Sequence, residues 1–366
     1  MNPIKLSINL REPKTKLIRS LFFQLPGNLK KERFMEPIYT ELATRIGLGQ
    51  SERIAGLFRL IANNTEAKLL LALPGTAHEI ANVLNLPEPE VGLMLQGLFV
   101  KGVVFPSTKS GVTKYKMCRD LVQFHDASIL WPDAPREFLD LWQDFMEEEW
   151  PDVARNFNKI FPRPFTRVIP VGVSIEAKTH VLAFEDVREI IEKANVISVT
   201  KCTCRLTARK CDRTLEACLQ INRGAEYNIA RGTGRQLTKD EALGIVRKAE
   251  EDGLIHVVMN KQNVDQFICN CCPCCCQTMP VLIKHNISVI EPSRFAARID
   301  PELCTGCGIC LDRCYFGAIA VSEDDTTCVD TSKCMGCGLC QVTCPAEAIS
   351  MVETRGADFV PEKLFN

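Results

Sequence analysis

"ARIDPELCTGCGICLDRCYFGAIAV", residues 297–321, is answered thirty positions later by "TCVDTSKCMGCGLCQVTCPAEAISM", residues 327–351. Each copy carries Cys-x2-Cys-x2-Cys with a trailing fourth cysteine: Cys304, Cys307, Cys310 and Cys314, then Cys334, Cys337, Cys340 and Cys344. The constant offset marks an internal duplication. A triple run at this spacing winds a tight loop whose three thiolates converge. The fourth cysteine leaves on the short helix that follows and reaches elsewhere. Gly306, Gly308, Gly336 and Gly338 lie inside these loops, where a bare backbone brings its amides close to whatever the thiolates hold.

Three converging thiolates plus one from the other copy suit a [4Fe–4S] cube. Cluster one is therefore expected on Cys304, Cys307, Cys310 and Cys344, and cluster two on Cys334, Cys337, Cys340 and Cys314. Structural zinc favours paired Cys-x2-Cys knuckles over a triple run with a trailing fourth. Over about one seventh of the chain this segment resembles the bacterial two-[4Fe–4S] ferredoxins. The resemblance implies an α+β dicluster domain over 297–366 that carries low-potential electrons. Tyr315 departs from the pattern, standing where proline usually follows the fourth cysteine; no ligand is lost.

The chain has 366 residues, 46% hydrophobic and 24% charged, with a net charge of −1. That is ordinary globular material without a general polyanion-binding character. Residues 1–33 carry eight Lys/Arg against two Glu, and residues 133–152 eight Asp/Glu against one Arg. Both read as solvated faces. No apolar run reaches the roughly 18 residues of a membrane span, and "MNPIKLSINLREPK" lacks a secretory signal core. A cytoplasmic location is expected, and twenty cysteines in a reducing compartment point to metal ligation or redox chemistry.

Ten more cysteines lie in the middle: "CTCRLTARKCDRTLEACL" holds Cys202, Cys204, Cys211 and Cys218, and "CNCCPCCC" holds Cys269, Cys271, Cys272, Cys274, Cys275 and Cys276. Together with the C-terminal repeat, the CxCR and CNCCPCCC motifs are similar to a group of anaerobe iron–sulfur proteins; that similarity brings no reaction or catalytic residue with it. If 211–218 is helical, Cys211 and Cys218 share a face, and Cys202, Cys204, Cys211 and Cys218 make one cluster site. Equally, a ligand group mixes the two segments. Adjacent cysteines such as Cys274, Cys275 and Cys276 diverge and do not all reach one metal. A further iron–sulfur cluster is the expectation, with zinc or a dithiol redox pair as alternatives. Arg205, Arg209, Arg213, Arg223, Arg231 and Arg235 crowd this region. They either compensate anionic thiolates or pair with Asp212, Glu216 and Glu226. The five histidines have no metal-site spacing and read as structural.

Around these motifs an α/β pattern recurs. Strands are expected at 166–175, 195–200 and 254–259, with helices at 184–194 and 237–253, the latter capped by Thr238 with Glu241 three residues on. Upstream, residues 65–117 read as three helices and a hairpin tipped by Ser110-Gly111, with Thr65 and Thr76 as caps. That order resembles a winged helix-turn-helix domain. Its third helix, however, offers Glu88, Glu90 and Gln96 and no Lys or Arg between Pro87 and Phe99. Nucleic-acid affinity rests on phosphate neutralisation, so docking onto protein is the expectation there. Phe138, Trp142 and Phe145 form a core stripe on an acidic helix at 133–152.

The chain thus reads as an α/β multidomain protein. Its parts are a basic helical segment (1–64), a winged-helix-like domain (65–120), an acidic helix and linker (121–165), a cysteine-rich α/β domain (166–296) and the dicluster domain (297–366). The expected role is electron transfer through two [4Fe–4S] clusters to the central region or a redox partner protein, as an oxidoreductase component or reductive activator. Alternatives are a redox-sensing regulator and a maturation or scaffold subunit.

Overall fold

The described residues are 36–161, 163–172, 185–323 and 325–364 of a computed structural model. They fall into two units, Met1–Glu149 and Trp150–Asn366. The basic stretch read at 1–33, and residues 173–175 of the strand read at 166–175, lie outside the described residues.

Side-chain caps or prolines mark where the helices of the first unit begin. They are α1 (Pro37–Arg45), α2 (Glu52–Ile61), α3 (Asn64–Ala72), α4 (Ala77–Leu84) and α5 (Glu88–Val100). The hairpin β1 (Val104–Lys109) with β2 (Val112–Met117) follows, then α6 (Leu121–Ser128) and α7 (Arg136–Glu148). Thr76 and Glu79 close a capping box on α4. The cap of α3 is not Thr65 but Asn63, whose side chain reaches the Glu66 amide at 2.9 Å while Glu66 answers to the Asn63 amide. Phe138, Trp142 and Phe145 are fully buried. Trp142 meets Phe124 edge-on at 5.0 Å, and Phe124 stacks on Phe58 at 4.3 Å. Burial of each such ring contributes about 1.5–3 kcal/mol.

The acidic helix read across 133–152 is two helices. α7 ends at Glu148, and α8 (Trp150–Ile160) starts afresh in the second unit. Pro151 accounts for the break: within a continuous helix it would remove a hydrogen bond, whereas in a first turn its missing N–H costs nothing.

A seven-stranded sheet organises the second unit. Its strands are β3 (Thr166–Ile169), β4 (Ile197–Lys201), β5 (Glu216–Ile221), β6 (Arg235–Leu237), β7 (Ile255–Met259), β8 (Phe267–Cys271) and β9 (Ile290–Glu291). Their spatial order is β6-β4-β5-β8-β7-β3-β9, antiparallel throughout except for β3 with β9. Strand β3 stops before Pro170. Between the strands run α9 (Val187–Lys193), α10 (Thr203–Ala208), α11 (Arg223–Ala230), α12 (Lys239–Glu251) and α13 (Met279–His285). Thr238 and Glu241 form the expected capping box on α12.

Side chains alternate along a strand, so the sheet has two distinct faces. On one, Ile197, Val199, Leu219, Ile221, Val258 and Ile268 pack under α9 and α12. On the other, Val168, Ile255 and Val257 meet Cys276, Met279, Met335 and Leu339. The last part of the unit contains β10 (Phe295–Ile299), α14 (Ile309–Arg313), β11 (Ile319–Val321), β12 (Thr327–Val329), α15 (Leu339–Val342) and β13 (Ile349–Glu353). Here β10 pairs with β13, and β11 with β12, both antiparallel. Among the described residues no helix is long and apolar enough to cross a membrane.

Candidate metal centres

The duplicated loops build two sulfur-lined pockets. One, of about 310 Å³, is lined by Cys304, Cys307, Cys310 and Cys344 with Thr327 and Ile349 among its walls. The other, of about 350 Å³, is lined by Cys314, Cys334, Cys337 and Cys340 with Phe316 and Met351. Each pocket therefore takes three thiols from one copy and the fourth from the other. Backbone amides point at the sulfurs: Ala297 N–H donates to Cys334 Sγ at 3.5 Å and Ala318 N–H to Cys314 Sγ at 3.4 Å. Gly306 and Gly336 both have φ of +65°, and a Cβ at Gly306 would stand 2.5 Å from the Asp325 carbonyl oxygen. At Gly336 a Cβ would collide with the Phe295 carbonyl oxygen and Ser293 Oγ. Both loops are thus closed to any side chain at these positions. Burial pushes the Cys337 thiol up to about 12 and raises Cys340 as well. A cation among such thiols reverses that effect and favours thiolate. All-sulfur donors with amides aimed at them fit an iron–sulfur cube.

Residues 297–351 match a known family, the 4Fe-4S dicluster domain. No match was found among the curated proteins or among the solved structures. This C-terminal match, together with the many clustered cysteines, points to iron–sulfur electron transfer.

The dicluster segment is fastened to the sheet. Val171 N–H donates to the Cys337 carbonyl at 2.9 Å, Ser293 N–H to the Met335 carbonyl at 3.0 Å, and Ser293 Oγ to the Gly336 carbonyl at 2.8 Å. Tyr315, the departure from the usual proline, donates its hydroxyl to the Gly253 carbonyl and accepts from Arg213 Nη2, both at 3.1 Å. The unusual residue at 315 was the available sequence signal, but its partner 102 positions away was not.

The ten central thiols sort into two groups, each mixing the two segments. Cys202 lies within interaction range of Cys204 and Cys218. Cys204 is likewise within range of Cys276, Cys218 of Cys269, and Cys271 of Cys269 and Cys276. These six therefore close a ring. The other four, Cys211, Cys272, Cys274 and Cys275, lie with all their sulfurs within 4.8 Å of one another. Strand alternation makes the division: Cys269 and Cys271 leave β8 on one face, and Asn270 and Cys272 leave on the other. Likewise Cys218 faces the ring while its neighbours Ala217 and Leu219 face the α12 side.

Within the ring, protons are shared unequally. Hydrogen bonds from Cys204 and Cys218 hold Cys202 well below the ordinary thiol range, and Cys204 and Cys271 do the same for Cys276. The partners Cys204, Cys218 and Cys271 are raised in turn.

Cys211 and Cys218 do not share a helix face. α10 ends at Ala208, Arg209 takes a left-handed φ of +50°, and Cys218 sits on β5. Cys211 consequently stands apart from Cys202, Cys204 and Cys218. Of the arginines, Arg205 is buried and donates to the Thr214 carbonyl at 3.0 Å and the Asn270 carbonyl at 2.7 Å. Burial opposes its charge, but Cys202, Cys272, Cys218 and Cys271 together raise its pKa, which places it between the two thiol groups. Arg235 instead pairs with Glu241 and Glu216 at the surface.

Sequence reading missed Asn270, which is fully buried in the midst of the cysteines. Its Nδ2 donates to the Ala217 carbonyl at 2.7 Å, and its Oδ1 meets His256 Nδ1 at 2.6 Å. His256 Nε2 in turn meets Glu250 Oε1 at 3.0 Å. Of the two remaining cysteines, Cys118 is buried in the first unit and Cys328 is exposed. None of the twenty is in a disulfide among the described residues.

Proposed function

We propose that this chain is an electron carrier whose two dicluster quartets, Cys304/Cys307/Cys310/Cys344 and Cys314/Cys334/Cys337/Cys340, each hold a [4Fe–4S] cube. The six-thiol ring is then the seat of a further polynuclear iron–sulfur centre. When bound, such centres take up and return single electrons at low potential. The observation that carries this reading is one apolar cluster, in which Cys337 of a quartet packs with Cys269, Cys271 and Cys276 of the ring through Met335 and Leu339. Phe316 and Tyr315 flank the same cluster. These side chains put apolar packing between the two thiol sets.

The chain's residues divide the work. Amides at Ala297 and Ala318 stabilise thiolate on the quartets. Arg205 supplies positive charge beside the ring. The three helices and hairpin of the first unit are read as a docking module. α5 begins with Glu88 and Glu90 and leaves Leu93 77% exposed, which suits a protein partner better than phosphate.

The test is the double variant Cys202→Ser/Cys218→Ser, purified without oxygen. It should lose part of its iron while the EPR signals of the reduced dicluster segment persist. Collapse of those signals together with the ring's iron would refute the division of ligands.

A further inference from the structure

The second thiol group is too tight for a cube. Cys211 Sγ lies 3.9 Å from Cys272 Sγ and 3.7 Å from Cys275 Sγ, and Cys274 Sγ lies 3.8 Å from Cys275 Sγ. In a cube each thiolate caps a different iron, so the sulfurs stand well apart. Around a single ion the edge length is fixed by the bond: metal–sulfur distances of about 2.3 Å give tetrahedral edges of about 3.8 Å. Among the described residues this is the single group of three or more His, Cys, Asp or Glu side chains whose ligand atoms all lie within 4.8 Å of one another. The dicluster quartets, whose job is to surround a cube, are more open.

From this spacing we infer that Cys211, Cys272, Cys274 and Cys275 bind one divalent ion of the zinc class in tetrahedral sulfur coordination, separate from any iron–sulfur centre. The surroundings are those of a tetrathiolate. The Arg213 amide donates to Cys211 and the Lys210 amide to Cys275. Four thiolates on a divalent ion leave a net charge of about −2. Arg213 Nη1 stands 3.9 Å from Cys274 Sγ, and Arg205 faces Cys272. Cys272 and Cys275 are buried, Cys211 and Cys274 are half-buried, and Ala208, Ala217, Ala249 and Leu254 wall the group on its apolar side. The residue types argue the same way: a closed site with four protein ligands and no open position is structural.

What the ion would fasten is equally definite. Cys211 belongs to the loop between α10 and β5, and the other three to the turn after β8. The same loop carries Arg213, whose guanidinium holds Tyr315 of the dicluster segment. The ion therefore stiffens the connection through which the segment is attached. This inference does not rest on the electron-transfer reading.

The experiment uses the full chain purified without oxygen. Elemental analysis should find about one zinc per chain, and absorption at the zinc edge four sulfurs at about 2.3 Å with no neighbouring iron. Cys211→Ser/Cys275→Ser should lose that zinc while keeping its iron and its reduced-state EPR signals. Wild-type protein without zinc, a zinc edge showing oxygen or nitrogen ligands, or a double variant that keeps its zinc or loses iron instead would each overturn the inference. If the double variant does not fold, the wild-type absorption spectrum decides alone. Iron content and EPR report separately on the dicluster segment, so failure here and failure of the electron-carrier reading are distinguishable.

Discussion

In the dicluster segment, cysteines three apart in sequence line the same pocket; in the sheet, cysteines side by side in sequence look in opposite directions. Cys304, Cys307 and Cys310 converge because left-handed glycines curl the chain around one point. Cys271 and Cys272 diverge because an extended strand turns alternate side chains to alternate faces. The lesson is that a cysteine motif reports its own ligand set when it is a loop. When it is a strand, it reports two half-sets that only the neighbouring strands complete.

Variants can break or sharpen this contrast. The largest effect is expected from Cys337→Ser, which removes one corner of a quartet: about four iron atoms per chain should be lost. One of the two reduced-state EPR signals should go with them, measured beside an unchanged zinc content. Gly336→Ala comes next. Its new methyl meets the Phe295 backbone carbonyl at a φ of +65°, a strain of about 1–3 kcal/mol that thermal unfolding would read. Iron should be lost on heating before any zinc is. Asn270→Ala leaves the Ala217 carbonyl and His256 short of a partner at the point where the two faces divide. A cost of about 1–3 kcal/mol is expected in denaturant unfolding. Both thiol groups should loosen together, seen as faster modification of Cys272 and Cys218. The smallest effect belongs to Tyr315→Phe, which gives up the links to Gly253 and Arg213 at about 0.5–1.5 kcal/mol. Its iron content should stay unchanged.

How much was legible in the sequence follows the same division. The quartets could be read because three of the four cysteines lining each pocket stand three apart, and the whole pattern repeats at a fixed offset that supplies the fourth. The capping boxes at Thr76/Glu79 and Thr238/Glu241 were legible for the same reason: cap and partner sit three residues apart. At α3 the rule was right and the residue wrong, since Asn63 and Thr65 both precede an apolar run and Glu66 answers only one. The partition of the ten central thiols was out of reach, because it depends on β5 lying between β4 and β8. No local pattern encodes that order. The spacing of Cys211 and Cys218 suggested a helix, yet the left-handed turn at Arg209 and the pairing of β5 with β4 prevail. The break at Pro151 shows in the sequence only as a proline, while the acidic, aromatic pattern continues across it.

The sharpest single measurement is an iron and acid-labile sulfide count on oxygen-free wild-type protein, taken with EPR of the reduced state. Two occupied quartets give about eight iron atoms per chain, four to each cube, and the ring must add to that total. A count above eight, with two interacting fast-relaxing signals, is the predicted result. Colourless protein with only zinc on its sulfurs would contradict the electron-carrier account, and a count stopping at eight would contradict the ring centre.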